Sequence, residues 1–310
     1  MKLGFIKPDY PNEKRVALLP EHINEFENQI VVETGFGEYL DLIDADYVAK
    51  GCTIRSRDEI FRECDTLFSL KLLQPADYDK IRKGQMIIGW THPEGSGADF
   101  MKLQAIPKVL TIVDLDNIHP FIFYKGEKIP VPFIKRNFIW RNSFMAGISS
   151  TLHGIMSAGF LPGANTKVAI LSSGNVAQGA FYTISKFNCD VRIFHWETMD
   201  LFYESIADFD IIINGIEVAD DNAHIISKKD LRKIRKGCLI LDAAADVGRA
   251  IEGTRFTNME NPVYKDDGKY FYAINNSPSI FYRETSRIIS SVFSEWIYKK
   301  DIKRFWDLLK

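Results

Sequence analysis

At 310 residues the chain is long enough for two domains, each with its own core. Its 46% hydrophobic and 26% charged content is that of an ordinary globular protein, and a net charge of −2 without a long Lys/Arg run leaves no electrostatic footprint for nucleic acid. No apolar run approaches the ~20 residues that span a bilayer, so no membrane association is expected.

The first strand-like run, Leu3–Ile6, begins at once with no signal-peptide layout before it, which points to a cytoplasmic protein. It is followed by Asn12-Glu13-Lys14-Arg15-Val16-Ala17-Leu18-Leu19-Pro20, where Arg15 sits between a turn and an apolar stretch. Arg is the natural bidentate partner of a substrate carboxylate, although a surface Arg reads the same way in isolation. A helix over Glu21–Glu27, a strand over Ile30–Glu33, a Gly35-Phe36-Gly37 turn and a helix over Ile43–Ala49 are predicted next. In the strand Thr66–Leu70 and its continuation, Lys71 interrupts an apolar run, so it either snorkels to solvent or points into a cleft. A helix over Tyr78–Arg82 leads to the strand Met86–Trp90, which ends in His92 before a glycine-rich loop. A His at the carboxyl end of a parallel strand stands where such sheets bind ligands, and its pKa range suits a general acid or base; a satisfied structural His is the alternative. A helix near Ala98–Gln104 and a strand near Val109–Val113 follow. The proline-punctuated Ile129-Pro130-Val131-Pro132 then reads as an interdomain crossing, leading into a long helix over Ser143–Ala158.

The stretch Val168-Ala169-Ile170-Leu171-Ser172-Ser173-Gly174-Asn175-Val176-Ala177-Gln178-Gly179 is a strand, a small-residue turn and a helix start, the context in which backbone N–H groups receive a pyrophosphate. The glycine fingerprint is incomplete: Ser172 and Ala177 replace its first and third glycines, while Gly174 is kept. Ser172, Ser173, Gly174, Asn175 and Val176 are the expected phosphate contacts. A second parallel strand, Asp190–Phe194, ends at His195, 21 positions past Gly174, where an NAD-binding site usually carries an acid for the ribose 2′-hydroxyl. His195, with Thr198 and Arg192 nearby, accommodates a 2′-phosphate instead, which favours NADP(H); in a shifted register Glu197 would supply the acid.

Strands at Ile211–Ile213, Leu239–Asp242 and Tyr270–Ile274 continue this unit, and helices over Thr285–Tyr298 and the tail to Leu308 return to the first domain. The predicted fold class is α/β, with two Rossmann-like parallel-sheet domains separated by a cleft. The first, discontinuous domain spans 1–136 and 279–310 and carries the substrate site, and 137–278 is the NADP(H)-binding domain. The four cysteines lack C-x-x-C spacing and read as reduced thiols, and the six histidines are isolated, so no metal is expected.

Taken together, Lys14-Arg15-Val16-Ala17-Leu18-x-Pro20, Lys71, Gly84-Gln85 followed by His92, the glycine-poor turn and Asp242-x-x-x-Asp246-x-Gly248 resemble the alanine dehydrogenase and transhydrogenase superfamily over nearly the whole chain. The Ser-Ser-Gly-Asn-Val-Ala-Gln-Gly turn, Gly89-Trp90-Thr91-His92-Pro93 and Asp242-Ala-Ala-Ala-Asp246 are similar to one branch of it, whose members use NADPH to join pyruvate reductively to the side-chain amine of ornithine. The resemblance implies that Arg15 and Lys71 hold the pyruvate carboxylate and oxygen and that His92 exchanges the proton. It places Asp246 by the nicotinamide, accepting the amine proton or orienting the carboxamide, and Asn276 at the cofactor in an Asn276-Ser-Pro278 hinge. Asp242 also reads as a capping or packing carboxylate. Small-molecule partners are implied, pyruvate and a basic amino acid (ornithine or lysine), in a homo-oligomer, dimer or tetramer. Ser172, His195 and Phe144 depart from the alanine dehydrogenase pattern and speak against simple ammonia chemistry with NAD. An NAD-dependent alanine dehydrogenase, a saccharopine-dehydrogenase-like enzyme and a non-catalytic dinucleotide-binding protein are the other readings. Retention of Arg15, Lys71, His92 and Asp246 disfavours the last.

Overall fold

Four- and five-residue runs of Val, Ile, Leu and Phe, buried on both faces, form the inner strands of two parallel-dominated sheets. The structure is a computed structural model describing residues 1–116, 118–218 and 223–310. The chain divides into two units, one made of Met1–Ile139 and Tyr282–Lys310, the other of Trp140–Phe281.

In the first unit the strands are β1 (Lys2–Ile6), β2 (Gln29–Glu33), β3 (Thr53–Arg55), β4 (Thr66–Ser69), β5 (Met86–Gly89), β6 (Thr111–Asp114), β7 (Phe121–Tyr124) and β8 (Glu127–Pro130). They lie in the order β3-β2-β1-β4-β5-β6-β7-β8; the first six are parallel and the last two form an antiparallel edge hairpin. The winding reverses between β1 and β4, and the crevice beyond the carboxyl ends of such a pair is where open α/β sheets bind ligands. One face of the sheet is covered by α1 (Asp44–Val48) and by the C-terminal segment: Ile289, Phe293, Ile297, Tyr298 and Phe305 share a core with Leu3, Phe5, Phe68 and Ile88. The other face packs on α2 (Arg57–Glu63) and α3 (Ala98–Phe100), through Ile60, Phe61, Cys64 and Phe100. The tail therefore supplies half of the covering layer, and a sheet face left bare would expose a large apolar patch.

The same tail fixes the Arg15 segment. Val16 N–H donates to Ser286 Oγ (2.8 Å) and Leu19 N–H to Ser290 Oγ (2.7 Å). Tyr298 and Tyr47 donate their hydroxyls to the carbonyls of Ala17 and Leu18. These partners satisfy a buried backbone that belongs to no helix or strand.

In the second unit α4 (Trp140–Ser157) precedes β9 (Lys167–Leu171), α5 (Asn175–Ile184), β10 (Asp190–Phe194), β11 (Ile211–Asn214) and β12 (Leu239–Asp242). A two-stranded ribbon, β13 (Val247–Gly248) and β14 (Ile251–Glu252), and the strands β15 (Tyr264–Asp266) and β16 (Lys269–Tyr272) follow. The sheet order is β10-β9-β11-β12-β16-β15, parallel except for β15, and its winding reverses between β9 and β11. Helices α4 and α5 cross backbone to backbone. A Cβ on Gly147 would stand 1.9 Å from the Val176 carbonyl, and one on Gly179 1.9 Å from the Phe144 carbonyl.

Three expectations need correction. The Glu21–Glu27 helix is a single 3₁₀ turn, Pro20–His22, because Glu25 adopts φ +51° and tertiary hydrogen bonds take over. Glu27 N–H donates to the Lys299 carbonyl, and Asn28 Nδ2 to the carbonyls of Tyr298 and Lys300. The proline-punctuated passage is no crossing but the end of edge strand β8, where a missing N–H costs no ladder bond. The helix over Tyr78–Arg82 is a 3₁₀ turn, Pro75–Lys80, leaving Ile81 extended.

Gly179→Ala is expected to lower the thermal midpoint of the second unit by several degrees, since overpacking a tight crossing costs about 1–3 kcal/mol. Calorimetry checks this; an unchanged midpoint would mean that the helices separate without cost.

Candidate active site

In the first unit the chemistry-bearing side chains leave consecutive carboxyl ends of the sheet. Arg15 follows β1, Lys71 follows β4, His92 follows β5 and Asp116 follows β6. Gly89 makes the close approach of β5 to β4 possible: at φ +157°, a Cβ there would lie 1.8 Å from the Ser69 carbonyl. Beyond it Asp114 Oδ1 receives the Thr91 N–H and hydroxyl and the His92 N–H, holding His92 at φ +44°.

Arg15 is 1% exposed, and its guanidinium is gripped by Glu13 (Nε to Oε1 2.8 Å, Nη2 to Oε2 2.6 Å) while lying 4.8 Å over the Trp90 ring. Lys71 Nζ stands 5.4 Å from the same ring and 5.3 Å from that of Tyr10. No carboxylate is within ion-pair distance of Lys71 among the described residues. Burial, seconded by the Arg15 charge, pulls the Lys71 ammonium down to about 8, against weaker opposing pulls from Glu13 and Asp116. His92 Nδ1 lies 3.0 Å from Asp116 Oδ2. Burial works against the imidazolium, but the Asp116 hydrogen bond and charge outweigh it and hold His92 above its ordinary pKa. Burial likewise pushes Asp116 up, yet its bond to His92 leaves it below the usual carboxylate range. The buried Trp90 Nε1–H has no acceptor among the described residues.

The structure thus brings Arg15, Lys71 and His92 into one cluster and adds Asp116, Glu13 and Trp90. Glu13 lies in the stretch that contains Arg15, but its grip is a side-chain contact that spacing does not reveal. Asp116 becomes legible only once β5 and β6 are known to be neighbours.

In the second unit Ser172 takes φ +113°, a glycine-like value, in the place of the missing first glycine. Its N–H donates to the Phe194 carbonyl and its Oγ accepts from Gly174 N–H at 3.0 Å. Gly174 caps α5, and Ser173 and Gly174 are exposed, so the turn is open at a ten-residue helix start. A Cβ on Gly215, after β11, would press on Ala177 N at 3.2 Å; the small residue keeps the helix start close to the strand end. An open turn of this build fits a dinucleotide pyrophosphate.

His195 closes β10, 40% exposed and 3.9 Å from Glu197, and Trp196 beside it is 83% exposed. Asp242 ends β12 with Oδ1 accepting from Asn214 Nδ2, while Oδ2 is buried without a partner among the described residues; burial pushes its carboxyl up to about 6. Asp246 is buried, receives the Val218 N–H on Oδ2 (2.7 Å), and has no hydrogen bond to Oδ1 among the described residues. Asn276, at φ +70°, follows β16 and its carbonyl accepts from Ser279 N–H. The expected cofactor residues all follow carboxyl ends of parallel strands in this unit. Among the described residues no cluster of three or more His, Cys, Asp or Glu is placed to hold a metal ion, and no helix is long and apolar enough to cross a membrane.

Comparison with known proteins agrees with this layout. The family model described as alanine dehydrogenase/PNT, N-terminal domain, matches residues 6–120, and its C-terminal counterpart matches 154–307. A solved L-alanine dehydrogenase superposes with TM-score 0.79 at 19% identity, covering 96% of this chain and 89% of that one. A transhydrogenase from Sinorhizobium meliloti gives 0.75 at 17%, covering 95% and 93%. At these identities the likeness shows the fold. An N(5)-(carboxyethyl)ornithine synthase of Clostridium botulinum is 57% identical over 100% of this chain and 98% of its own length, and one of Lactococcus lactis is 48% identical over 100% and 99%. An alanine dehydrogenase of Mycobacterium tuberculosis is 23% identical over 90% and 82%. The chain belongs to the alanine dehydrogenase/PNT family, and within it to the group of the N(5)-(carboxyethyl)ornithine synthases.

Proposed function

We propose that the chain is an NADPH-dependent oxidoreductase that condenses pyruvate with the side-chain amine of ornithine, or of lysine, and reduces the resulting imine to N5-(1-carboxyethyl)-ornithine or its lysine homologue. The observation that carries this reading is the charge count of the first unit's cluster. Glu13 answers Arg15 and Asp116 answers His92, so among the described residues Lys71 is the cation of this cluster without a carboxylate in ion-pair range. A small monoanion such as pyruvate supplies the missing charge. The relatives' name supports the second substrate.

In this reading Arg15 and Lys71 bind the pyruvate carboxylate and polarise its ketone oxygen, fixing the geometry for attack. The uncharged amine adds to the ketone carbon, and one of its protons passes to the former ketone oxygen to give a carbinolamine. His92 presents Nε2–H, which has no partner among the described residues, and protonates the departing oxygen so that water leaves. The Asp116 hydrogen bond and charge favour the imidazolium form, raising His92 above its ordinary pKa against the opposing effect of burial, and fix the ring's orientation. NADPH, when bound, supplies the hydride that reduces the imine carbon. The second unit is its site: Ser172 to Val176 receive the pyrophosphate, His195 and Arg192 take the 2′-phosphate, Asn276 lines the nicotinamide end, and Asp246 offers Oδ1 to an N–H donor there.

Purified protein with pyruvate should consume NADPH faster with ornithine or lysine than with ammonia, and faster with NADPH than with NADH. His195→Asp should narrow the cofactor preference, because the acid repels a 2′-phosphate. Turnover with ammonia alone would replace this reading by alanine dehydrogenase, and an NADH preference would overturn the role of His195.

A second outcome follows from Lys71, which binds pyruvate as a cation. Since its pKa lies near 8 in the folded protein, kcat/KM for pyruvate should fall as pH rises through about 8. In Lys71→Arg the charge persists past pH 12, so the ratio of wild-type to variant kcat/KM should decline over that window. A ratio independent of pH would show that Lys71 does not act through its charge.

A further inference from the structure

Beside the catalytic cluster, the first unit has a cavity of about 320 Å³ lined by Lys7, Asp9, Arg15, Glu33, Glu38 and Arg57, with Val16 and Phe36 as its apolar wall. It opens at the carboxyl ends of β1 and β2, on the other side of Arg15 from Lys71 and His92 in strand order. Its six charged groups are three cations and three carboxylates, a lining suited to a ligand of zero net charge that bears both signs.

Besides Asp9, which is exposed and unpaired among the described residues, two of these groups are left to bind something. Glu33 is 8% exposed, and its Oε2 already accepts from Lys7 N–H (2.6 Å) and Arg57 Nη1 (2.9 Å). Its Oε1 has no partner among the described residues and is open to a donor entering the cavity. Arg57 is immobilised by Asp77, with Nε to Oδ1 at 2.9 Å and Nη2 to Oδ2 at 2.6 Å, and Arg15 is held by Glu13. Among the described residues Lys7 Nζ pairs with Glu38 alone, at 3.6 Å, which leaves it able to turn toward a ligand.

Resting on the reading above, we propose that this cavity holds the zwitterionic head of the amine substrate: Glu33 Oε1 accepts from its α-ammonium and Lys7 Nζ donates to its α-carboxylate. The three-methylene arm of a diamino acid spans about 5 Å, one strand spacing, which carries the reacting amine from the β1–β2 end of the site to the β4 end. Val16 and Phe36 supply the apolar contact that the methylenes need. The subsite selects an α-amino acid over a plain amine, a discrimination that contacts to the pyruvate half cannot provide.

The test uses the full chain with pyruvate and NADPH and four amines: ornithine, 1,4-diaminobutane (no carboxylate), 5-aminopentanoate (no α-ammonium) and butylamine (neither). Wild type should prefer ornithine. Lys7→Met should cut the ornithine to 1,4-diaminobutane ratio of kcat/KM by at least about tenfold and raise the ornithine KM with the pyruvate KM unchanged, as expected for loss of a charge-assisted hydrogen bond. Glu33→Gln should cut the ornithine to 5-aminopentanoate ratio similarly. Glu33 also anchors Arg57, so the Lys7 variant, whose one ion pair among the described residues is with the exposed Glu38, carries the test if Glu33→Gln folds poorly. Unchanged ratios in Lys7→Met, or a pyruvate KM that rises with the ornithine KM, would overturn the subsite. A wild type that consumes NADPH only with ammonia would instead overturn the parent reading, an outcome distinct from an ornithine-active enzyme whose ratios do not move.

Discussion

The site depends on holding two cations, Arg15 and Lys71, against one indole in a largely buried place. Like charges so placed repel strongly where water is excluded, and burial alone penalises each of them. The molecule offsets this unevenly. Arg15 receives a two-point carboxylate from Glu13 and a ring face from Trp90, whereas among the described residues Lys71 has ring faces and no carboxylate in ion-pair range, and burial with the Arg15 charge pulls its pKa down. Under the proposed function this imbalance suits the cluster to an anion, whose carboxylate would give Lys71 the partner that no described residue supplies.

That arrangement in turn needs a rigid frame, and the frame explains the discontinuous first unit. The Arg15 segment is irregular and buried, a costly state unless its N–H and C=O groups are met. Ser286, Ser290 and Tyr298, all contributed by the tail, meet them. The apolar side of the same tail covers the sheet face that carries Phe5 and Phe68, with the Tyr298 ring 4.7 Å from Phe5. One segment therefore completes the core and sets the position of Arg15, so a lesion in the tail should be felt at the Arg15 cluster before the unit unfolds.

Much of this was legible in the sequence where local chemistry and periodicity agree. The apolar runs that became β1, β4, β5, β9 and β12 could hardly be anything else, and Lys71 and His92 stood out because polar residues at the ends of such runs break the pattern. The turn after β9 was readable despite its missing glycines, and Ser172 shows how: it adopts the left-handed backbone itself and uses its hydroxyl to cap Gly174. What escaped the sequence was whatever depends on distant partners. Asp116 meets His92 only because β5 and β6 are neighbours. The helix expected over Glu21–Glu27 was overridden by bonds from Glu27 and Asn28 to the tail. Pro130 looked like a boundary because an edge strand and a linker share the same tolerance for a missing N–H.

The most direct test of the central claim follows one atom. With pyruvate, ornithine and NADPH deuterated at C4 on the transferred face, mass spectrometry should find a single deuterium on the carboxyethyl carbon bonded to the ornithine side-chain nitrogen. Deuterium recovered in alanine or lactate, with no N-carboxyethyl product, would contradict a reductive condensation at the Arg15, Lys71 and His92 cluster.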